Sequence, residues 1–177
     1  AAVSRGVAVL ASAPGVVRGT RDGMPDIDVS SPGAPSVKDR ECGNGVVIDH
    51  EGGWQTQYCH LRRGSVAVAK GDRVETGAVL GQVGMSGEAS FPHLHLSVRH
   101  DGEELDPFTS QPAGDGCGKA GTLLWDASAT AKLDYIRGLG TTTVFKPAVT
   151  AARKPLAESS KATACAAGMP REVSASR

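Results

Sequence analysis

The sequence predicts an all-β domain over its first 109 residues, a compact antiparallel β-sheet domain of two packed sheets that resembles a barrel sandwich. Two observations carry this prediction. Glycine is frequent, at 23 residues, whereas aromatic residues make up only 4%, which favours short strands and many turns over a helical bundle. Short apolar and β-branched runs also recur between Gly and Pro turns as far as Phe108, a spacing typical of sandwiches and barrels.

The individual strands follow from the turn signals between them. Pro14-Gly15 separates the first two runs, and Glu51-Gly52-Gly53 joins two β-rich runs in a predicted hairpin. His50 stands beside that turn and is expected in solvent. The predicted strands occupy, in chain order, residues 6–10, 15–19, 45–50, 54–61, 66–68, a short run between two turns within 70–77, and residues 79–84, 91–98 and 103–107.

The rest of the chain divides by composition. Residues 22–41 are rich in Pro, Gly, Ser and Asp and predict a long surface loop. Residues 110–121 form a Gly/Pro linker, and residues 122–177 are expected to form a short helix or partial module with a poorly ordered tail.

Charge and hydropathy exclude some classes of function. The formal net charge is +0, so nothing indicates binding to nucleic acid or to an anionic membrane surface. No apolar run approaches the roughly 20 residues that cross a bilayer, and the chain shows no signal peptide. Because its first residues lie inside an apolar strand pattern, we expect this chain to be a fragment.

The four cysteines are Cys42, Cys59, Cys117 and Cys165, and no two of them form a C-x-x-C pair. A structural zinc knuckle is therefore not expected. Cys42 and Cys59 flank the predicted hairpin. This pattern fits two alternatives. One is a disulfide between them, which would indicate an oxidising compartment, and the other is a pair of buried free thiols.

The candidate chemistry lies on the strand that carries His93 and His95. Alternate residues of a strand face the same side, so these two imidazoles lie side by side, as half of a metal or acid–base site requires. A half-exposed strand that happens to carry two histidines is the alternative. His60 shares its parity with Trp54 and Tyr58 and is predicted to line a cleft beside aromatic side chains.

Several motifs together resemble the lysostaphin-type zinc metalloendopeptidases. They are Gly43-Asn44-Gly45-Val46-Val47-Ile48-Asp49-His50, Tyr58-Cys59-His60-Leu61, Lys70-Gly71-Asp72-Arg73-Val74-Glu75-Thr76-Gly77, Val83-Gly84-Met85-Ser86-Gly87 and Pro92-His93-Leu94-His95-Leu96. The resemblance covers residues 7–108, in the family's order. Each motif is weak alone, but the set is specific.

The resemblance implies a β domain that hydrolyses peptide bonds in bacterial peptidoglycan, in the periplasm or outside the cell. It implies zinc as cofactor, with His95 as a ligand and with His60 and His93 flanking a metal-bound water. Zinc lowers the pKa of its water to about 7, and a neighbouring imidazole can accept the water's proton or stabilise the developing oxyanion.

One departure from the family pattern concerns the zinc ligands. The family completes its site with an H-x-x-x-D motif before the first matched strand, and this sequence contains none. A catalytic zinc usually has three protein ligands. Either the missing ligands lie upstream of this chain, which we favour, or Asp22 and Asp26 replace them, or the domain has lost its metal. Acidic residues in such a loop, Asp28 included, are more commonly turn formers.

Two other functions remain open at this point. A degenerate, metal-free domain of the same fold would bind cell wall or regulate another hydrolase. The run from Gly71 to Gly77, with Leu80, also resembles biotinyl or lipoyl carrier domains, but no lysine stands in the Met-Lys-Met-like turn that such carriers modify.

Overall fold

The structure is a computed structural model that describes residues 6–112 and 122–126. These residues include eight strands: β1 (Ala8–Leu10), β2 (Gly15–Arg21), β3 (Asn44–Asp49), β4 (Trp54–Leu61), β5 (Arg73–Val74), β6 (Val79–Gln82), β7 (His95–His100) and β8 (Glu103–Leu105). A 3-10 helix of three residues, Glu51–Gly53, connects β3 to β4. Within the described ranges, no helix is long and apolar enough to span a membrane.

The strands form two antiparallel sheets. Six of them pair in the order β5-β2-β3-β4-β7-β8, and β1 pairs with β6 in a second, two-stranded sheet. The all-β prediction and its two sheets are therefore confirmed.

The core lies between the two sheets because the strands alternate apolar and polar residues. In β3, Val46 and Ile48 are fully buried while Val47 and Asp49 are half-buried, as period-two alternation dictates. The main cluster joins residues of both sheets and consists of Val9, Ala11, Val17, Val46, Ile48, Tyr58, Leu61, Val74, Leu80 and Val83. A second cluster includes Leu124 and Trp125, so the described residues 122–126 pack on the β domain. The remainder of the predicted helix or module lies outside the described residues.

Two strand predictions need correction. Residues 66–68 are not a strand: the Ala67 N–H donates to the Leu80 carbonyl of β6, but the Val66 N–H donates to the Asp22 carboxylate of the long loop. The predicted strand 91–98 begins at His95 instead of Phe91. His93 precedes the strand in an isolated bridge to Gly84.

Cys42 and Cys59 form a disulfide, with their Cα atoms 4.8 Å apart. Of the two alternatives for this pair, the structure shows the disulfide. It joins the end of the long loop to β4, next to His60.

His50 is buried, and the expectation that it lies in solvent is wrong. Its side chain is only 8% exposed. Nδ1 lies 2.7 Å from the Pro14 carbonyl and Nε2 lies 2.7 Å from the Thr56 hydroxyl. Because a carbonyl only accepts, Nδ1 carries the proton of the neutral ring, and the unprotonated Nε2 faces the Thr56 hydroxyl. The ring therefore links β3 and β4 to the turn before β2.

This burial predicts a pH dependence of stability. Burial lowers the pKa of His50 below its ordinary 6.5, against the smaller opposing effects of the Pro14 carbonyl and Asp49. The unfolded chain therefore takes up this proton first as the pH falls. The free energy of unfolding is expected to decrease below pH 6.5, with a slope of at most about 1.4 kcal/mol per pH unit from this one group. Urea unfolding at several pH values between 5 and 8 measures this slope.

The test variant is His50→Gln, which removes the titrating group. The matched control is His100→Gln, because the side chain of His100 is 40% exposed. The slope should shrink in the first variant and stay in the second. Equal slopes in the wild type and His50→Gln would contradict the assignment.

Candidate active site

The three histidines singled out from the sequence lie together at the end of β4 and the start of β7. The ring centroid of His60 lies 4.6 Å from that of His93 and 5.9 Å from that of His95. Strand pairing places them there, because Cys59, the residue before His60, is opposite His95. We call His60, His93 and His95 the histidine cluster.

His60 reaches this cluster through a break in the β3–β4 ladder. Asn44 pairs with Leu61 but Val46 pairs with Tyr58, so β4 has one residue more than β3 between these pairs, which is a β-bulge. His60 has a φ of +63°, a left-handed conformation that costs a non-glycine residue about 1–2 kcal/mol. The prediction that His60 shares a face with Trp54 and Tyr58 assumed a regular strand, and the bulge interrupts that regularity. The ring of His60 lies against those of His93 and His95.

Backbone carbonyls fix the tautomers of two of the three rings. His60 Nδ1 lies 2.8 Å from the Ser86 carbonyl, and His93 Nδ1 lies 2.8 Å from the Phe91 carbonyl. Each Nδ1 must therefore donate, which leaves the lone pair of each neutral ring on Nε2. Both side chains are buried, at 4% and 1% exposure. Two Nε2 atoms are thus held as potential proton acceptors.

His95 is the more accessible member of the cluster. It is half-buried, and its Nε2 lies 3.3 Å from the Ser97 hydroxyl. Phe91 extends the accessible rim, since its ring is 44% exposed and its centroid lies 4.8 Å from that of His93.

Ser86 holds the histidine cluster in place. It lies in one of the motifs that carry the family resemblance, but it is not titratable and the sequence does not single it out as a site residue. It is fully buried. Its hydroxyl accepts from the Asn44 N–H at 2.9 Å and donates to the Leu61 carbonyl at 2.7 Å. The side-chain amide of Asn44 donates to the same carbonyl. These bonds fix both the residue after His60 and the carbonyl that His60 binds.

Replacing Ser86 with alanine is expected to lower the free energy of unfolding by about 1–3 kcal/mol, because the Asn44 N–H would lose its buried acceptor. Ser90→Ala is the matched control, since Ser90 is exposed in the same segment. Urea denaturation of both variants gives the difference. Equal midpoints would show that the Ser86 hydroxyl is dispensable.

The acidic residues of the long loop serve the backbone. Asp22 accepts from the N–H groups of Gly64 and Val66. Asp26 accepts from the N–H groups of Met85 and Arg63. The Asp28 carboxylate accepts from the backbone and hydroxyl of Ser30, and these bonds lower its pKa. The three carboxylates therefore act in turns and in packing the loop, the more common role for such residues.

The described residues do not complete a metal site. Within residues 6–112 and 122–126, no three or more His, Cys, Asp and Glu side chains lie close enough to hold a metal ion. A catalytic zinc takes three protein ligands, so the histidine cluster does not fit zinc by itself. Asp22 and Asp26 do not supply the missing ligands.

A cleft adjoins the segment that leads to the histidine cluster. Its volume is about 600 Å³, and most of its lining comes from the long loop, with Gly87 on the other wall. Met24, Pro25 and Ile27 give it apolar walls, and Arg21 and Arg40 are also among its lining residues.

Comparison with known proteins agrees with this fold and these motifs. The model of peptidase family M23 matches residues 1–107. The DD-carboxypeptidase/endopeptidase Mpg of Neisseria meningitidis serogroup B is 32% identical over 121 residues, which cover 66% of this chain and 27% of that relative. The peptidoglycan DD-endopeptidase ShyA of Vibrio cholerae is 42% identical over 56 residues, 32% of this chain and 13% of that relative.

Among solved structures, the catalytic domain of the prophage-encoded M23 protein EnpA from Enterococcus faecalis is similar with a TM-score of 0.46. It is 23% identical, and the match covers 59% of this chain and 69% of that one. The chain spans about a quarter of the length of the Neisseria relative. The family model accounts for more than half of the sequence, and the chain belongs to peptidase family M23.

Proposed function

We propose that this domain hydrolyses peptide bonds in bacterial peptidoglycan as the β domain of a zinc metalloendopeptidase. The observation that carries the proposal is the histidine cluster, in which two buried imidazoles each have Nδ1 bonded to a backbone carbonyl, so that the lone pair of the neutral ring is on Nε2. The family membership and the two relatives named as endopeptidases support it.

The proposed roles follow from burial and tautomer. His60 and His93 are the proton-transfer groups, because each presents a basic Nε2 whose ring cannot rotate without losing its carbonyl bond. Once protonated, either ring can donate to the oxyanion that forms when a peptide carbonyl is attacked. His95 is the proposed zinc ligand. No second ligand is assigned among residues 6–112 and 122–126, so no step of the reaction is assigned to zinc here.

The proposed substrate is a peptide of the peptidoglycan network, held in the cleft beside Gly87. Its apolar walls suit small aliphatic side chains, and Arg21 and Arg40 suit a free carboxylate. Peptidoglycan lies outside the cytoplasmic membrane, and the Cys42–Cys59 disulfide is typical of oxidising compartments. We therefore place the protein in the periplasm or outside the cell.

The second candidate is a metal-free domain that binds peptidoglycan or regulates another hydrolase. The observation in its favour is the missing three-ligand group among the described residues, together with the backbone bonds that occupy Asp22 and Asp26.

Zinc content and peptide release decide between the two. The purified chain is dialysed against zinc, its metal is measured by elemental analysis, and it is then incubated with purified peptidoglycan. One equivalent of zinc that disappears in His95→Ala, with release of soluble peptides, supports the peptidase. Binding to peptidoglycan without zinc and without release supports the second function. His100→Ala is the matched control for the loss of a histidine from β7.

A further inference from the structure

Two segments of the chain hold His60 in its left-handed conformation. The first is residues 41–43, at the end of the long loop. The Cys42 carbonyl accepts the His60 N–H at 2.8 Å. The second is residues 84–87, where the Gly84 N–H donates to the His60 carbonyl at 3.0 Å and the Ser86 carbonyl accepts from Nδ1. The backbone and the ring of His60 therefore depend on both segments.

The two segments also pack directly on each other. A Cβ placed on Gly43 would lie 2.4 Å from the carbonyl carbon and oxygen of Ser86, and one on Gly87 would lie 2.2 Å from the Glu41 carbonyl. The Glu88 N–H donates to that same Glu41 carbonyl at 2.7 Å. A displacement of residues 41–43 would consequently move the Ser86 carbonyl as well.

The Cys42–Cys59 disulfide closes this arrangement covalently. Cys59 directly precedes His60, and Cys42 supplies the carbonyl that His60 binds. The bulge removes the regular β3–β4 pairing at this point, so β3 does not hold His60 in place, whereas Cys59 stays paired with His95 of β7. The disulfide is the covalent link between the residue before His60 and the segment that packs on Ser86.

We propose that the Cys42–Cys59 disulfide is a positioning element for His60, which fixes the ring through residues 41–43 and the Ser86 carbonyl. Reduction to two thiols then leaves the sheets intact but releases the ring from its Nδ1–H tautomer. The inference rests on the proposed function for the role of His60, but the tautomer can be measured whether or not the chain hydrolyses peptidoglycan.

The test follows the imidazole nitrogens by ¹⁵N NMR before and after reduction. Cys117 and Cys165 are first replaced by serine, so that reduction acts on Cys42 and Cys59 alone. Dithiothreitol then reduces Cys42–Cys59 to two thiols and is itself oxidised to its cyclic disulfide. In the oxidised protein His60 should show a protonated Nδ1 and a basic Nε2. In the reduced protein and in Cys42→Ser/Cys59→Ser it should show both tautomers in exchange.

His50 is the internal control, because its Nδ1 binds the Pro14 carbonyl and its Nε2 faces the Thr56 hydroxyl, on neither of the two segments that hold His60. Its tautomer should not change. A reduced protein that keeps β2–β4 folded but leaves His60 in the Nδ1–H tautomer would overturn the proposal. General unfolding on reduction would overturn it too, since the disulfide would then be a staple for the whole fold.

Activity provides a separate reading. If the protein releases peptides from peptidoglycan, reduction should lower kcat about 10²-fold through misplacement of one proton-transfer group, with a smaller change in KM. If no release is found, the proposed function fails while the tautomer result still decides the role of the disulfide.

Discussion

Replacing Gly87 with alanine is expected to lower the free energy of unfolding by roughly 3 kcal/mol. Gly87 has a φ of +78°, which costs an L-residue about 1–2 kcal/mol. The added Cβ would lie 2.2 Å from the Glu41 carbonyl oxygen and 2.4 Å from the Gly43 nitrogen. Both are backbone atoms that cannot turn aside, so overpacking adds about 1–3 kcal/mol. A loss of this size is a large part of the stability of an ordinary domain.

Gly77→Ala separates the two contributions. Gly77 has a similar φ of +86°, but a Cβ placed there would meet nothing within 4 Å. It should therefore lose only the conformational part, about 1–2 kcal/mol. Urea unfolding of both variants measures the difference. Equal losses would show that residues 41–43 and 86–87 do not pack as closely as described.

The parts of the fold that the sequence predicted depend on neighbouring residues. The β3–β4 hairpin follows from Glu51-Gly52-Gly53 between two β-rich runs. The inward direction of Val46 and Ile48 follows from period-two alternation. Contacts within a few residues settle both features, so the one-dimensional pattern contains the necessary information.

The errors arise where distant residues decide. The burial of His50 depends on the Pro14 carbonyl, 36 residues away. The turn of His60 depends on Cys42 and Ser86, which approach it only once the long loop has packed. A parity argument assumes a regular strand, and a bulge reverses the face of every residue that follows it.

For the same reason, the sequence predicts only some residues of the candidate site. His60, His93 and His95 were found because imidazoles at these spacings are chemically conspicuous, and the structure brings their rings together. Ser86 acts through its backbone carbonyl and a buried hydroxyl. This role cannot be inferred from the residue type, because any residue has a backbone carbonyl and most serines are exposed. Asp22 and Asp26 were candidate ligands by type alone, and their backbone bonds became visible only in the fold.

The largest expected effect on activity is that of the two buried imidazoles. In a protein that releases peptides from peptidoglycan, His60→Gln and His93→Gln should each lower kcat/KM by about 10²–10⁴-fold, the usual contribution of a positioned general acid or base. A glutamine amide can still donate to the Ser86 or Phe91 carbonyl, but it has no basic nitrogen to accept a proton. The loss should therefore come mainly from kcat.

His100→Gln is the control, because His100 lies at the other end of β7, with its ring stacked on Trp54 at 4.4 Å. This variant should keep its rate. The double variant His60→Gln/His93→Gln should lose less than the product of the single losses if the two imidazoles share one proton-transfer step, because groups that act as a unit are not additive. Fully multiplicative losses would mean that His60 and His93 act in separate steps, and full activity in either single variant would remove that residue from the proposed chemistry.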